Sequence, residues 1–141
     1  MSIIELTTDE EFVEAYEVMH ELRTDLSLEQ YLGLLADMRP AGYRLFAARD
    51  EGRIVALAGI GLGTNFYYRH YLWVYDLVTT DASRSRGHGK ALLDHLEVIA
   101  REAGCQTLAL ASGLHRTDAH RFYTDKMKMD RGSYTFSKDL R

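Results

Sequence analysis

A mixed α/β fold, ordered β-α-α-β-β-β-α-β-α-β, follows from three features of this 141-residue chain. Two capping-box signatures, Thr8-x-x-Glu11 and Ser27-x-x-Gln30, open helical stretches between a short apolar strand and three consecutive strand-like segments. The first two of those segments meet at a hairpin turn, Asp50-Glu51-Gly52-Arg53, which makes that part of the sheet antiparallel. A later strand–helix–strand unit, from Tyr71 to Ala111, forces a parallel pair through a right-handed crossover. The sum is a mixed sheet with helices on both faces.

Each element has its own signal. Ser2 to Leu6 is a short apolar strand. Phe12, Val13, Tyr16, Met19 and Leu22 then recur at helical spacing, as do Leu28, Tyr31, Leu32, Leu35 and Met38 in the second helix. Pro40, the sole proline, and Gly42 end that helix. Tyr43 to Arg49 and Ile54 to Leu62 read as paired strands, and Gly63 to Arg69 as a looser connection. Tyr71 to Thr79 is a long strand rich in aromatic and β-branched residues. Gly87 to Ala103 carries an apolar stripe of Leu92, Leu93, Leu96, Ile99 and Ala100, and Gly104 supplies its stop. Thr107 to Ala111 is a short strand, Asp118 to about Lys126 a last helix, and Ser133 to Ser137 a final strand. Gly59, Gly61 and Gly63 alternate along the third strand. They mark either a bulged, closely packed strand or an open face along which a ligand passes.

Composition narrows the function classes. A chain of this length forms a single domain, residues 1–141, and buries roughly two-thirds of its unfolded surface without disulfides. Its one cysteine excludes an internal disulfide and a multi-cysteine zinc cage, and the histidines lack metal-ligand spacing, so no metal site is expected. Lys+Arg is 17 against Asp+Glu 21, a formal charge of -4, which disfavours nonspecific nucleic-acid binding. No apolar run is long enough to span a bilayer, and no basic-then-apolar leader opens the chain. The expectation is a soluble cytoplasmic protein with no membrane and no nucleic-acid partner.

The informative stretch runs from Tyr71 to Leu93: a long strand, a short loop, and a helix whose first turn is Arg84-Ser85-Arg86-Gly87-His88-Gly89-Lys90. Amides at a helix start lack internal partners and lie at the positive end of the dipole, so they form an anion site. Gly87 and Gly89 clear side chains from a phosphate's path, while Arg84, Arg86 and Lys90 add charge at the rim. This predicts a pyrophosphate site over Arg86 to Lys90. It is not a Walker loop, because Ala91 follows Gly89-Lys90 and the upstream glycine position holds Arg84. Nor is it a dinucleotide fingerprint, whose third glycine is Leu92 here. The competing reading is that the two glycines only let helix and strand pack closely.

Arg84-Ser85-Arg86-Gly87-His88-Gly89 resembles the Gln/Arg-x-x-Gly-x-Gly/Ala signature of the GNAT family of N-acetyltransferases. Asp76-Leu77-Val78 is similar to the end of that family's fourth strand, and Arg116 to Tyr123 to its late, tyrosine-ending helix. The resemblance covers nearly the whole chain and points to a small bacterial-type member. It implies an acyl-CoA N-acyltransferase-like fold with the fourth and fifth strands splayed, and acetyl-coenzyme A as co-substrate. It also implies a primary amine on a small molecule or peptide as acceptor, and leaves a homodimer open. By position, Leu77, Val78 and Thr79 would pair with the pantetheine arm. The amides of Arg86, Gly87, His88, Gly89 and Lys90 would take the diphosphate, with Arg84 at its rim.

The chemistry implied is direct attack of a neutral amine on the thioester, so two protons must be managed. Tyr123 is the candidate acid toward the departing sulfur, since a phenol with pKa near ~10 is protonated at neutral pH; otherwise it is packing. Asp76 is a candidate for ordering a water near the amine, or a structural acid at a strand end. His120, three residues before Tyr123 on the helix, is a candidate relay or a packing histidine. Arg116 stands where the family commonly has asparagine, so its contact to the cofactor arm departs from the pattern. Ala111 stands where small members often carry an acid. A non-catalytic acyl-coenzyme A sensor is the main alternative, and an acyltransferase using another acyl group is a third.

Overall fold

Both capping boxes form. Thr8 and Glu11 exchange side-chain and backbone hydrogen bonds to start α1 (Asp9–Leu22), and Ser27 and Gln30 do the same for α2 (Leu28–Met38). These bonds satisfy amides that the first helical turn leaves without partners. The structure is a computed structural model describing residues 1–141, which fall into two compact units, Met1–Ala109 and Leu110–Arg141.

Five strands form one sheet in chain order: β1 (Ser2–Leu6), β2 (Arg44–Asp50), β3 (Arg53–Asn65), β4 (Arg69–Thr79) and β5 (Thr107–Leu110). The pairs β1–β2, β2–β3 and β3–β4 are antiparallel. β5 lies parallel to β4, and the Gln106 amide donates to the His70 carbonyl at 2.8 Å where it enters. On one face α1 and α2 pack Phe12, Ala15, Met19, Tyr31 and Leu35 against Leu6, Leu45, Ala47, Leu57 and Val78. On the other face lies α3 (His88–Glu102), which buries Leu92, Leu93, Leu96 and Ala100. Its His95 ring sits 5.8 Å from Phe46, whose β2 neighbours Leu45 and Ala47 point to the opposite side. The second unit contains α4 (Thr117–Arg121), which continues as a π-helical turn over Phe122–Lys126. No helix is long and apolar enough to cross a membrane.

The alternating glycines of β3 belong to a bulged, closely packed strand. Gly59 pairs with Asp76 but Ile60 with Val74, so Tyr75 is an extra residue in β4. Tyrosines cover the glycines. A Cβ on Gly59 would lie 1.8 Å from the Tyr43 hydroxyl, one on Gly61 2.9 Å from the Tyr75 ring, and one on Gly63 2.4 Å from the Tyr71 hydroxyl. In this structure tyrosine rings lie over these positions in place of an open face.

Two expectations need correction. The connection between β3 and β4 is not loose: β3 continues to Asn65, and only Phe66 to Tyr68 turn the chain. Asn65 Oδ1 accepts the Tyr68 amide at 2.6 Å, and the Tyr71 ring over Gly63 keeps the strand pair together. The final strand at Ser133–Ser137 does not form, and no regular structure follows the π-helical turn. Its alternation of Tyr134 and Phe136 is a strand signal without a partner, and both side chains are solvent-exposed, at 73% and 92%. Strand preference reflects packing on a pleated surface, and it has no effect where no sheet edge is engaged.

Gly59→Ala is expected to cost about 1–3 kcal/mol by forcing the Tyr43 ring off its seat. A urea denaturation midpoint that falls while the slope stays constant is the measurement.

Candidate active site

The start of α3 is built to receive an anion. Gly87 caps it at φ +82°, no side chain bonds its first amides, and the first turn contains no acidic residue. A Cβ on Gly87 would meet nothing within 4 Å, so the left-handed backbone, rather than crowding, calls for glycine here. The first ladder bond runs from the Ala91 amide to the Gly87 carbonyl at 3.0 Å, which leaves the amides of His88, Gly89 and Lys90 outside the ladder. Ser85 is also left-handed, at φ +66°.

The rim is basic but partly engaged. Arg84 pairs with Asp81 at 2.9 Å and Lys90 with Asp94 at 2.7 Å, whereas Arg86 has no ion pair. His88 is 6% exposed, with Nδ1 3.1 Å from the Met1 sulfur and a buried Nε2 that has no hydrogen-bond partner. Native buried polar atoms are nearly always satisfied, so this one marks the helix start as incomplete by itself.

β4 runs toward this helix start, and its last residues are unpaired on one side. Leu77, Val78 and Thr79 bond β3 through Ala58, Leu57 and Ala56. On the other side β5 is four residues long and enters opposite His70, so a parallel partner of that length reaches no further than about Val74. The remaining edge of β4 offers backbone donors and acceptors to an extended ligand.

Asp76, in the sequence a candidate for ordering water, is clasped. Arg23 Nε and Nη2 donate to Oδ1 at 3.0 and 2.8 Å, and the Tyr43 hydroxyl donates to Oδ2 at 2.8 Å. Arg23 Nη2 also bonds the Tyr75 carbonyl at 2.9 Å. Burial, reinforced by the Asp76 charge, raises the Tyr43 hydroxyl well above the ordinary phenol range and pushes Tyr31 up to about 12. The sequence places Arg23 in the loop after the first helix, a candidate specificity element, but joins neither it nor Tyr43 to Asp76. The signals were there, in an arginine just past a helix end and a glycine facing a strand acid, but 53 and 33 residues separate the partners.

In the second unit, Tyr123 lies in the π-helical turn and is buried. Burial raises its hydroxyl above the ordinary range, and the Arg116 charge pulls the other way. His120 Nε2 is 2.9 Å from the Gly113 carbonyl, so that nitrogen carries the proton in the neutral ring. Arg116 stands immediately before α4, and its carbonyl accepts the His120 amide at 3.1 Å. His120 and Tyr123 thus share one short helical segment.

Comparison with known proteins identifies the architecture. The profile of the acetyltransferase (GNAT) family matches residues 3–128. The chain belongs to the GNAT acetyltransferase family. The GNAT chain is 47% identical over 137 residues to an uncharacterised N-acetyltransferase of Bacillus subtilis, YhdJ, covering 96% of each. It is 29% identical over 130 residues to the aminoalkylphosphonate N-acetyltransferase of Salmonella typhimurium, covering 87% of this chain and 83% of that one. Among solved structures, an aminoglycoside acetyltransferase from an uncultured soil sample superposes with a TM-score of 0.83 at 18% identity, covering 99% of this chain and 96% of that one. That likeness concerns the fold.

The GNAT family uses acetyl-coenzyme A as co-substrate. The residues present fit it: an uncapped helix start behind a left-handed glycine, a basic rim, an orphaned buried imidazole nitrogen and an unpaired strand edge. No group of three or more His, Cys, Asp or Glu residues is placed to hold a metal ion.

Folding keeps Tyr43 and Tyr31 neutral beyond the range where an unfolded tyrosine ionises. Their stabilisation is therefore complete below pH about 10 and declines as pH rises above it, that of Tyr31 through about 12. Tyr43→Phe starts about 1–3 kcal/mol less stable, because Asp76 Oδ2 loses its donor. It then declines less steeply than the parent across that window, as a thermal-melting series against pH would show.

Proposed function

We propose that the chain transfers an acetyl group from acetyl-coenzyme A to a primary amine of a small-molecule acceptor by direct attack. The observation that carries this reading is the uncapped start of α3 lying past the unpaired end of β4. The two N-acetyltransferase relatives support it, and the aminoalkylphosphonate enzyme among them supports a small-molecule amine. When bound, acetyl-coenzyme A supplies an activated thioester carbonyl and a thiolate leaving group.

The chain's own residues then have separable tasks. The amides of Arg86, Gly87, His88, Gly89 and Lys90 hold the diphosphate, with the side chains of Arg84 and Arg86 at its rim. The free edge of Leu77, Val78 and Thr79 aligns the extended arm, and Arg116 offers donors to it. Alignment of this kind is worth several orders of magnitude in rate. Tyr123 stays protonated at neutral pH, the more so because burial raises its pKa, and it donates to the departing sulfur. His120, with its Nε2 proton directed at a carbonyl, presents Nδ1 as the ring's acceptor for a proton on its way from the ammonium. Asp76 has both oxygens filled, so its task is to hold the end of β4 rather than to take the proton. Per turnover the ammonium gives one proton through His120 to solvent, the C–N bond forms as the C–S bond breaks, the nitrogen loses a second proton, and the sulfur gains one from Tyr123, whose hydroxyl is then reprotonated.

Tyr123→Phe should lower kcat about 10–100-fold in a thiol-release assay while leaving coenzyme A affinity within about two-fold. Because the raised pKa keeps the acid form present to higher pH, the alkaline fall of kcat in the parent belongs above pH 10 and should vanish in this variant. Turnover absent with every amine tested, together with intact coenzyme A binding, would replace the enzyme by a sensor. Gly89→Glu should abolish coenzyme A binding in calorimetry, because its carboxylate sits where the diphosphate must; unchanged affinity would remove the cradle.

A further inference from the structure

We propose that Arg23 is a positioning residue for acetyl transfer, acting through the bulge in β4; this rests on the function proposed above. The bulge takes Tyr75 out of register with β3. A bulged residue lacks a normal ladder partner, so nothing in the β3–β4 ladder fixes its carbonyl. Arg23 supplies the missing donor: its Nη2 bonds the Tyr75 carbonyl at 2.9 Å, and the same guanidinium holds Asp76 through Nε and Nη2. One planar fork thereby fixes two consecutive residues of β4.

The place of this clamp gives it a role in the reaction. The diphosphate cradle lies beyond the C-terminal end of β4, so an arm that runs back along Thr79, Val78 and Leu77 brings its reactive end to Asp76 and Tyr75. These are the residues Arg23 holds. The clamp also ties the C-terminal end of α1 to β4, since Arg23 is the residue that closes α1. It thus links the loop between α1 and α2, residues 23–27, to the strand beside the reacting atoms. Two further facts agree. Arg23 is 45% exposed, so the pair adds little to a hydrophobic core, while Asp76 is held at 11%. Lysine cannot replace it, because a single ammonium lacks the planar fork that reaches a carboxylate and a carbonyl together.

The test compares Arg23→Lys and Arg23→Gln with the parent for kcat, both KM values, coenzyme A affinity, melting temperature and the backbone amide shifts of Tyr75, Asp76 and Leu77. Arg23→Lys should keep a cooperative melt and coenzyme A affinity within about two-fold, yet lose about ten-fold or more in kcat, as a small misplacement of the reacting groups does. Arg23→Gln, which lacks the charge, should lose more than Arg23→Lys, and the three amide shifts should move in both. An active Arg23→Lys variant with parental kcat overturns the clamp and leaves the acetyltransferase intact. A kcat loss that only tracks loss of folded protein also overturns it. Should the parent turn over no amine, the acetyltransferase reading fails. The amide shifts then still decide whether Arg23 holds the bulge: movement in both variants supports it and unmoved shifts overturn it.

Discussion

Asp76 carries a charge where the sheet is nearly dry, and much of the molecule is arranged to keep it there. An ion taken from water costs several kcal/mol unless its attraction to a partner and its hydrogen bonds offset the loss. Here a guanidinium and a phenol fill both oxygens. The phenol can reach only because Gly59 has no side chain, and the guanidinium only because α1 ends at Arg23. A loop, a helix end, a strand glycine and a bulge therefore depend on one carboxylate. Its removal would leave the Tyr43 hydroxyl and the Arg23 fork without their partner.

The cradle at α3 follows a different logic, because it is made of main chain. Gly87 and Ser85 hold the turn, and the amides that the helix cannot use are directed outward. The net charge of -4 would not suggest a site for a polyanion, but attraction there is local. The cations nearby are not wasted on their present partners. Arg84–Asp81 and Lys90–Asp94 are exposed pairs of a kind worth about 0–1 kcal/mol, so a phosphate can draw the cations away at little cost.

What the sequence discloses divides along the range of the interactions concerned. Caps, turns and the stripe on α3 are local: Thr8 and Glu11 are three residues apart, and that spacing alone specifies their bonds. The anion site is also local, a loop between a strand and a helix whose glycines and basic residues mark the uncapped amides before any family resemblance is considered. The clasp on Asp76 was hidden because neither Arg23 nor Tyr43 is near it in sequence. Ser85 was hidden because serine carries no signal for a left-handed backbone. Ser133 to Ser137 failed for the converse reason: its alternation is genuine, but a strand is completed by a neighbour that its own residues do not encode.

The clasp also bears on how the proposed reaction manages protons. A group that shuttles a proton must change charge without dismantling its surroundings. Protonating Asp76 would leave Arg23 with a neutral partner and weaken the bond that holds β4, so each cycle would loosen the strand meant to stay rigid. His120 is under no such constraint, since its one protein bond uses the Nε2 proton that both the neutral and the charged ring retain. Tyr123 sits at the other extreme, kept neutral by burial, so its proton is present whenever the sulfur departs. A fixed carboxylate, an imidazole with a free ring nitrogen and a buried phenol therefore suit three different tasks: holding, relaying and donating.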